Sequence, residues 1–376
     1  MSTSNLLNSV QPSVEIQSNF GATSPPTSTD DSSAGYSAGS QWVDTTTHKM
    51  YNCLDAGIGS AIWADPMAID IVASDPTSPA LGDIWYNSFV TQFKGFVPGA
   101  SFVWIAKSSM NNARSDFAGT GSSSSALSFG GVQAAAVSFV ELYDGASWSN
   151  QPSMVLGRYQ LAGAGTPTSS LAFGGSSGGP VLGATSLFDG STWVAKTNMN
   201  VARRGLAGAG TSSAALSFNG YSTVTSSDVE LFNGVSWTVN TSSNVARYFL
   251  AGTGTSTAAL LLGGSTNIVS AVTEQYNGST WATMAIMNVA RQQLAASGTT
   301  ASALSFGGRA LSIEVTTELF DGVSWFTKAN LNVGRFFLAG AGTSSTTLSF
   351  GGNDSVVSAV TEQFSTIAAP AQFNLV

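Results

Sequence analysis

The sequence predicts an all-β chain built from six copies of one four-stranded unit, closed into a ring. Three observations predict it. An arginine recurs at Arg114, Arg158, Arg203, Arg247, Arg291 and Arg335, every 44 or 45 residues. A tryptophan recurs in the same rhythm at Trp104, Trp148, Trp193, Trp237, Trp281 and Trp325. Between them a glycine pair returns, from Gly130-Gly131 to Gly351-Gly352, with Asn219-Gly220 as its one variant. Three markers in one register make the repeat secure, and four strands in a period of this length define a β-propeller blade.

Each unit reads as four strands in order. In the fourth copy the first is "RYFLAGTGT" (247–255), whose small residues suit an inner strand crowded against a central axis. The second, "STAALLLGG" (256–264), is a nearly continuous apolar run, as expected where both faces are covered. The third, "SAVTEQYNG" (270–278), alternates apolar and polar residues. Asn277-Gly278 predicts a tight hairpin in which both residues supply positive φ. The fourth and outermost strand is "STWATMAIM" (279–287).

The glycine pair, followed by Glu-x-Tyr/Phe and then Trp, resembles the kelch repeat. The resemblance covers residues 101–364 and implies a six-bladed kelch-like β-propeller. Its recurring acids are Glu141, Glu230, Glu274, Glu318 and Glu362, and the second copy departs with Ser186. The first tryptophan precedes the first inner strand, while the last copy, "TEQFSTIAAP" (361–370), stops before its tryptophan. Residues 101–107 are therefore expected to supply the outer strand of the last blade, beside 357–364, which removes an open sheet edge.

Composition narrows the classes. Charged residues make up 9% and hydrophobic ones 43%, with 41 glycines, which suits a turn-rich β protein. The formal charge of −8 sits mostly in residues 1–100, where nine acids face Lys49 and Lys94. No basic stripe predicts nucleic-acid binding. No 18-residue apolar run predicts membrane insertion. The N-terminus has neither a basic nor an apolar stretch of the kind that marks a signal peptide. Cys53 is the single cysteine, so no intrachain disulfide is possible.

Residues 1–40, rich in Ser, Thr and Ala, read as an extended anchoring arm or linker. Residues 41–100 hold two hairpin modules, at 41–65 and 81–98, and residues 365–376 form a tail. "QWVDTTTHKMYNCLDAGIGSAIWAD" (41–65) and "LGDIWYNSFVTQFKGF" (81–96) align with each other. Both resemble small hairpin modules of bacteriophage tail-fibre and other virion appendage proteins. That resemblance implies a virion protein made in a host cytoplasm and bound to other virion proteins through its arm and hairpins. Such hairpins are commonly trimeric, so it implies a homo-oligomer, a trimer.

Candidate sites divide by whether they repeat. Catalytic carboxylates need different environments to separate their pKa values, and residues repeated around a pseudo-sixfold ring have similar ones. The Arg–Glu set is therefore expected to form bonds or backbone clamps. His48 and Cys53 are too few for a metal site, and no cofactor is expected. The propeller segment has neither His nor Cys, unlike the copper oxidases with a kelch-like propeller. The turn "FDGSTW" (188–193) lacks the sialidase spacing of Ser-x-Asp-x-Gly-x-Thr-Trp. "AGAGT" (162–166, 207–211, 339–343) lacks the Lys and helix of a phosphate loop. These absences predict no catalytic residue and no enzyme.

The loops after the glycine pairs keep their length but change their chemistry. Strand alternation puts them on one face with the blade connections, opposite the uniform turns. Lys107, Asp228, Asn267, Arg309, Lys328 and Asp354 are the expected contacts there, to a host glycan or protein. Unconstrained surface explains the variation equally well. The expected function is non-catalytic adhesion, decoration or assembly. The alternatives are a carbohydrate-active propeller enzyme and an intracellular kelch scaffold.

Overall fold

The structure, a computed structural model, describes residues 102–365 in full, with 19, 21–30, 32–36, 40–44, 46, 49, 51, 53, 59 and 61–63. It gives the backbone of 20, 50, 52, 54–55, 67–68, 70–72, 84–87, 92–101 and 366–375. The chain divides into two units, 102–366 and 1–101 with 367–376.

In the larger unit, six four-stranded antiparallel blades form a β-propeller. The first blade runs Ala118–Gly121, Ala126–Phe129, Val140–Tyr143 and Trp148–Gln151, each strand paired with the next. The same pattern recurs through four more blades. In the sixth, Ala339–Gly342, Thr347–Phe350 and Thr361–Leu375 are joined by Gln92–Lys107 as the outer strand. The ring is thus closed by the N-terminal strand, as the unfinished last repeat predicts.

Burial follows strand position. In the first blade the second strand is buried along its whole length, whereas only the tryptophan of the outer strand is buried. The core lies between blades, in six clusters at the six junctions. The cluster with Phe117 and Trp148 from the first blade and Leu348 and Phe350 from the sixth makes the closing junction like the others. Each buried tryptophan contributes on the order of 4–6 kcal/mol before entropy.

Close inner-strand packing depends on glycine. A Cβ on Gly119 would stand 2.6 Å from the Phe350 ring of the preceding blade. Gly163, Gly208, Gly252 and Gly340 meet Phe129, Phe173, Phe218 and Phe306 in the same way. The fifth blade has Ala296 instead, packed against a cluster in which Leu262 stands at the phenylalanine position of the preceding blade. The smaller partner makes room for the extra methyl.

The glycine pairs take positive φ, and so does their variant Asn219, at 56°. Asparagine tolerates the left-handed region. Its side chain is also used, donating to the Val245 carbonyl at 2.8 Å and accepting from Ser243 Oγ at 2.7 Å.

One turn differs from expectation. Only Gly278 takes positive φ, at 96°. Asn277 acts through its side chain, whose Oδ1 accepts from the Ser279 and Thr280 N–H groups at 2.9 Å. Asp144, Asp189 and Asp321 do the same in other blades, and these bonds hold their carboxyls below the usual range.

In the smaller unit, Gln41–Asp44 pairs antiparallel with Lys49–Asp55, and Ile84–Asn87 with Gln92–Lys107. Asn19–Ala22, within the segment read as an arm, pairs parallel with Gln41–Asp44. Tyr36, Trp42 and Trp63 form an aromatic cluster with centroids 5.6–5.9 Å apart. Cys53 is buried. His48 lies outside the described residues.

Candidate functional site

The repeated charges build the blades. Arg114 pairs with Glu141, Arg203 with Glu230 (3.0 Å), Arg247 with Glu274 (2.7 Å), Arg291 with Glu318 (3.0 Å) and Arg335 with Glu362 (3.1 Å). All ten side chains are buried. Burial lowers each of these arginines, and in each the neighbouring glutamate opposes the shift. Each glutamate also accepts a backbone N–H from the loop entering its blade, from Asn111, Asn200, Asn244, Asn288 and Asn332. Those asparagines donate their side-chain N–H to the carbonyl of the outer-strand tryptophan. At the seam, Asn332 reaches Trp104 at 3.0 Å, so the closing strand is clamped like the rest. A buried ion pair of this kind is costly to break on one side, because the remaining charge is left buried and uncompensated.

The tryptophans fix neighbouring blades. Trp104, Trp148, Trp237 and Trp325 donate Nε1–H to a threonine of the preceding blade. Trp281 uses the Thr241 carbonyl, and Trp193 Nε1 is buried without a partner among the described residues.

The axis carries what does not repeat. Two residues after each arginine stand Asp116, Gln160, Gly205, Phe249, Gln293 and Phe337, all with φ between 53° and 59°. Each N–H donates to the equivalent carbonyl of the preceding blade, at 2.7–3.1 Å, and the Asp116 N–H closes the circle on Phe337. Five non-glycine residues are held in the left-handed region, at a cost of roughly 1–3 kcal/mol each. Persistent strain in one ring, with varied side chains, is a pointer to function.

The ring surrounds a cavity of about 90 Å³ floored by Phe117 and the leucines that follow each ring residue. Asp116 is 9% exposed, and burial pushes its carboxyl up to about 6 despite hydrogen bonds from Gln160 and Ser115. The Oε1 atoms of Gln160 and Gln293 are buried without partners among the described residues. Unpaired acceptors of this kind are uncommon in native interiors and are available to a donor from a ligand or water.

Beside the cavity, five half-buried rings form a continuous row. Tyr221, Tyr248, Phe249, Phe337 and Phe336 follow one another with centroids 4.8–5.8 Å apart. Arg204 stacks on Tyr221 at 5.7 Å at one end, and Arg309 on Phe336 at 5.4 Å at the other. Elsewhere the ring carries Asp116 and Gln160 as neighbours. The site therefore has an apolar aromatic side and a polar side.

Of the residues expected to make contacts, Arg309 borders this row. Asn267 is exposed in a variable loop and Asp354 is half-buried in another, whereas Asp228, expected in a loop, is exposed on the strand Thr225–Phe232, which lengthens the hairpin of the third blade. Lys328 lies over the Phe102 ring at 4.9 Å, between blades, and Lys107 ends the closing strand. Sequence reasoning missed the ring and the row. Its signal was present: the second position after each arginine varies inside an otherwise uniform stretch.

No family model matches the chain, and neither does any curated protein. Among solved structures, that of YjhT is similar at a TM-score of 0.60 and 12% identity. The similarity covers 69% of this chain and 99% of that one. At this identity the likeness shows the fold, a β-propeller. It also overturns the expectation that the chain is no enzyme, because a propeller shared with YjhT is compatible with enzymatic activity.

Proposed function

We propose that this chain is a bacteriophage virion appendage protein whose propeller recognises a surface glycan at the axial site. The observation that carries the recognition is the aromatic row ending in two stacked guanidiniums beside a carboxyl and two unpaired amide oxygens. Sugar rings present apolar C–H faces and many hydroxyl donors, and the two sides of the site match both. The cavity is small, so the saccharide lies across its mouth against the row. The virion assignment rests on the hairpin resemblance, with virion proteins as partners through that region and a homo-oligomer as the assembly.

A second reading is favoured by Asp116. A carboxyl held near neutrality in a pocket can donate or accept a proton during glycoside cleavage. The described ring contains one carboxylate, so such an enzyme would draw its second group from elsewhere.

The test is incubation of the purified chain with host-surface polysaccharides, measuring both retention and new reducing ends. Tyr248→Ala and Phe336→Ala are expected to weaken retention at least tenfold, while Asn267→Ala leaves it unchanged. Equal effects at all three positions would remove the axial site. New reducing ends lost in Asp116→Asn would assign catalysis. Absence of the protein from purified particles would overturn the virion assignment.

A further inference from the structure

The second blade breaks the clamp pattern at three linked positions. Ser186 stands where five blades have glutamate, Val155 where they have the clamping asparagine, and Ala172 where four have Ser128, Ser217, Ser305 or Ser349. Arg158 is nevertheless retained and has no exposed surface. Its Nη1 donates to the Ala184 carbonyl, and its Nη2 to the Ala172 carbonyl at 3.0 Å and to Ser186 Oγ at 3.4 Å. No carboxylate of the described residues pairs with it. Burial lowers it to about 10, with no opposing charge.

In the other blades the glutamate carboxylate is held by the arginine and by backbone N–H groups of the entering loop. At four of them two consecutive N–H groups serve, as with Asn111 and Asn112, or Asn200 and Val201. The equivalent N–H groups in the second blade belong to Val155 and Leu156, and neither has a partner among the described residues. Their side chains do not fill the vacated place, since Val155 is 69% exposed and Leu156 41%. Ser186 ends at Oγ, one atom short of the carbon at which a glutamate carboxylate begins. A cation, a hydroxyl and two adjacent N–H groups remain around a position that elsewhere holds a negative charge.

We propose that the second blade binds a small free anion, of the size of chloride or formate, between Arg158, Ser186 Oγ and the Val155 and Leu156 N–H groups. The anion replaces the missing carboxylate and neutralises the sixth arginine. Successive backbone N–H groups beside a guanidinium form an established type of anion cradle. A carboxylate carried by a larger ligand would meet the same donors through the surface beside Val155. The site is independent of the axial ring and does not rest on the glycan reading.

The experiment uses the full chain. Crystals soaked in sodium bromide should show an anomalous peak beside Arg158 and none at the five Arg–Glu pairs. In solution, sodium formate at constant ionic strength, balanced with the bulkier methanesulfonate, should raise Tm saturably by about 2–4 °C. Val155→Asn with Ser186→Glu, which restores the clamp, should abolish that response. No peak at Arg158, or an unchanged formate response in the double variant, overturns the proposal. If the double variant does not fold, the bromide map alone decides.

Discussion

Asp116→Asn is expected to stabilise the protein at neutral pH and leave it unchanged in acid. The Asp116 carboxyl is raised from 3.8 to about 6, first by burial, with the Gln160 and Ser115 hydrogen bonds opposing. A raised carboxyl binds its proton more tightly in the folded state, so stability falls as pH climbs from about 4 to 6. Each tenfold gain in proton affinity corresponds to about 1.4 kcal/mol, which gives about 3 kcal/mol at pH 7, an upper value for a site that can relax. Asparagine keeps the backbone bonds of the axial circle, tolerates the φ of 59°, and keeps an acceptor for Gln160. Urea denaturation of both proteins at pH 3.5, 5 and 7 measures the difference directly. Comparing the two cancels the Asx-turn aspartates, whose depressed carboxyls titrate identically in both. A difference that is constant with pH, or an Asn variant less stable at pH 7, would refute the buried, raised carboxyl.

The ring closure and the inter-blade packing give two further tests. Trp104→Phe should cost about 1 kcal/mol, because it removes a bond from Nε1 to Thr317 Oγ1 at 3.0 Å, whereas Trp193→Phe, which removes a buried N–H without a partner, should be neutral or stabilising in the same urea assay. Equal losses would show that the seam is not held as described. Leu262→Phe should destabilise by about 1–3 kcal/mol through overlap with Ala296, and Ala296→Gly should restore it, since glycine faces phenylalanine at the other five junctions. Additive effects in that double-mutant cycle would mean that the two positions do not compensate each other.

Much of the fold was legible because arginine, tryptophan and glycine mark chemically distinct places in a blade. Tryptophan lies at the start of the outer strand, arginine before the inner strand, and the glycine pair after the second. The seam was legible for the same reason, since Trp104 came too early and Phe364 was left without a successor. The axial ring was not. Nothing in "RSD", "RYF" or "RQQ" announces a left-handed residue, and phenylalanine is a poor choice for one by its local preference. The circle of hydrogen bonds that holds Phe249 and Phe337 there is a property of the closed ring, so it exists only once all six blades are in place. The search for contacts at the loop tips likewise followed exposure, whereas the aromatic row is half-buried.

Departures from the repeat therefore fall into two kinds, and the difference has physical meaning. Asn219 and the Leu262–Ala296 pair are compensated locally: one side chain finds partners, the other pair exchanges volume. Such changes leave the ring no worse off and carry no functional implication. Asp116 and Arg158 are not compensated, since each keeps an ionisable group buried without an opposite charge, while five equivalent arginines show that the fold can supply one. A fold that repeats its solution five times and omits it once accepts a stability cost at that place. On that reasoning the polar sector of the axial ring and the second blade are where this propeller meets something other than itself. The two positions also make separable predictions: neutralising Asp116 changes stability with pH, and restoring a carboxylate beside Arg158 changes its response to anions.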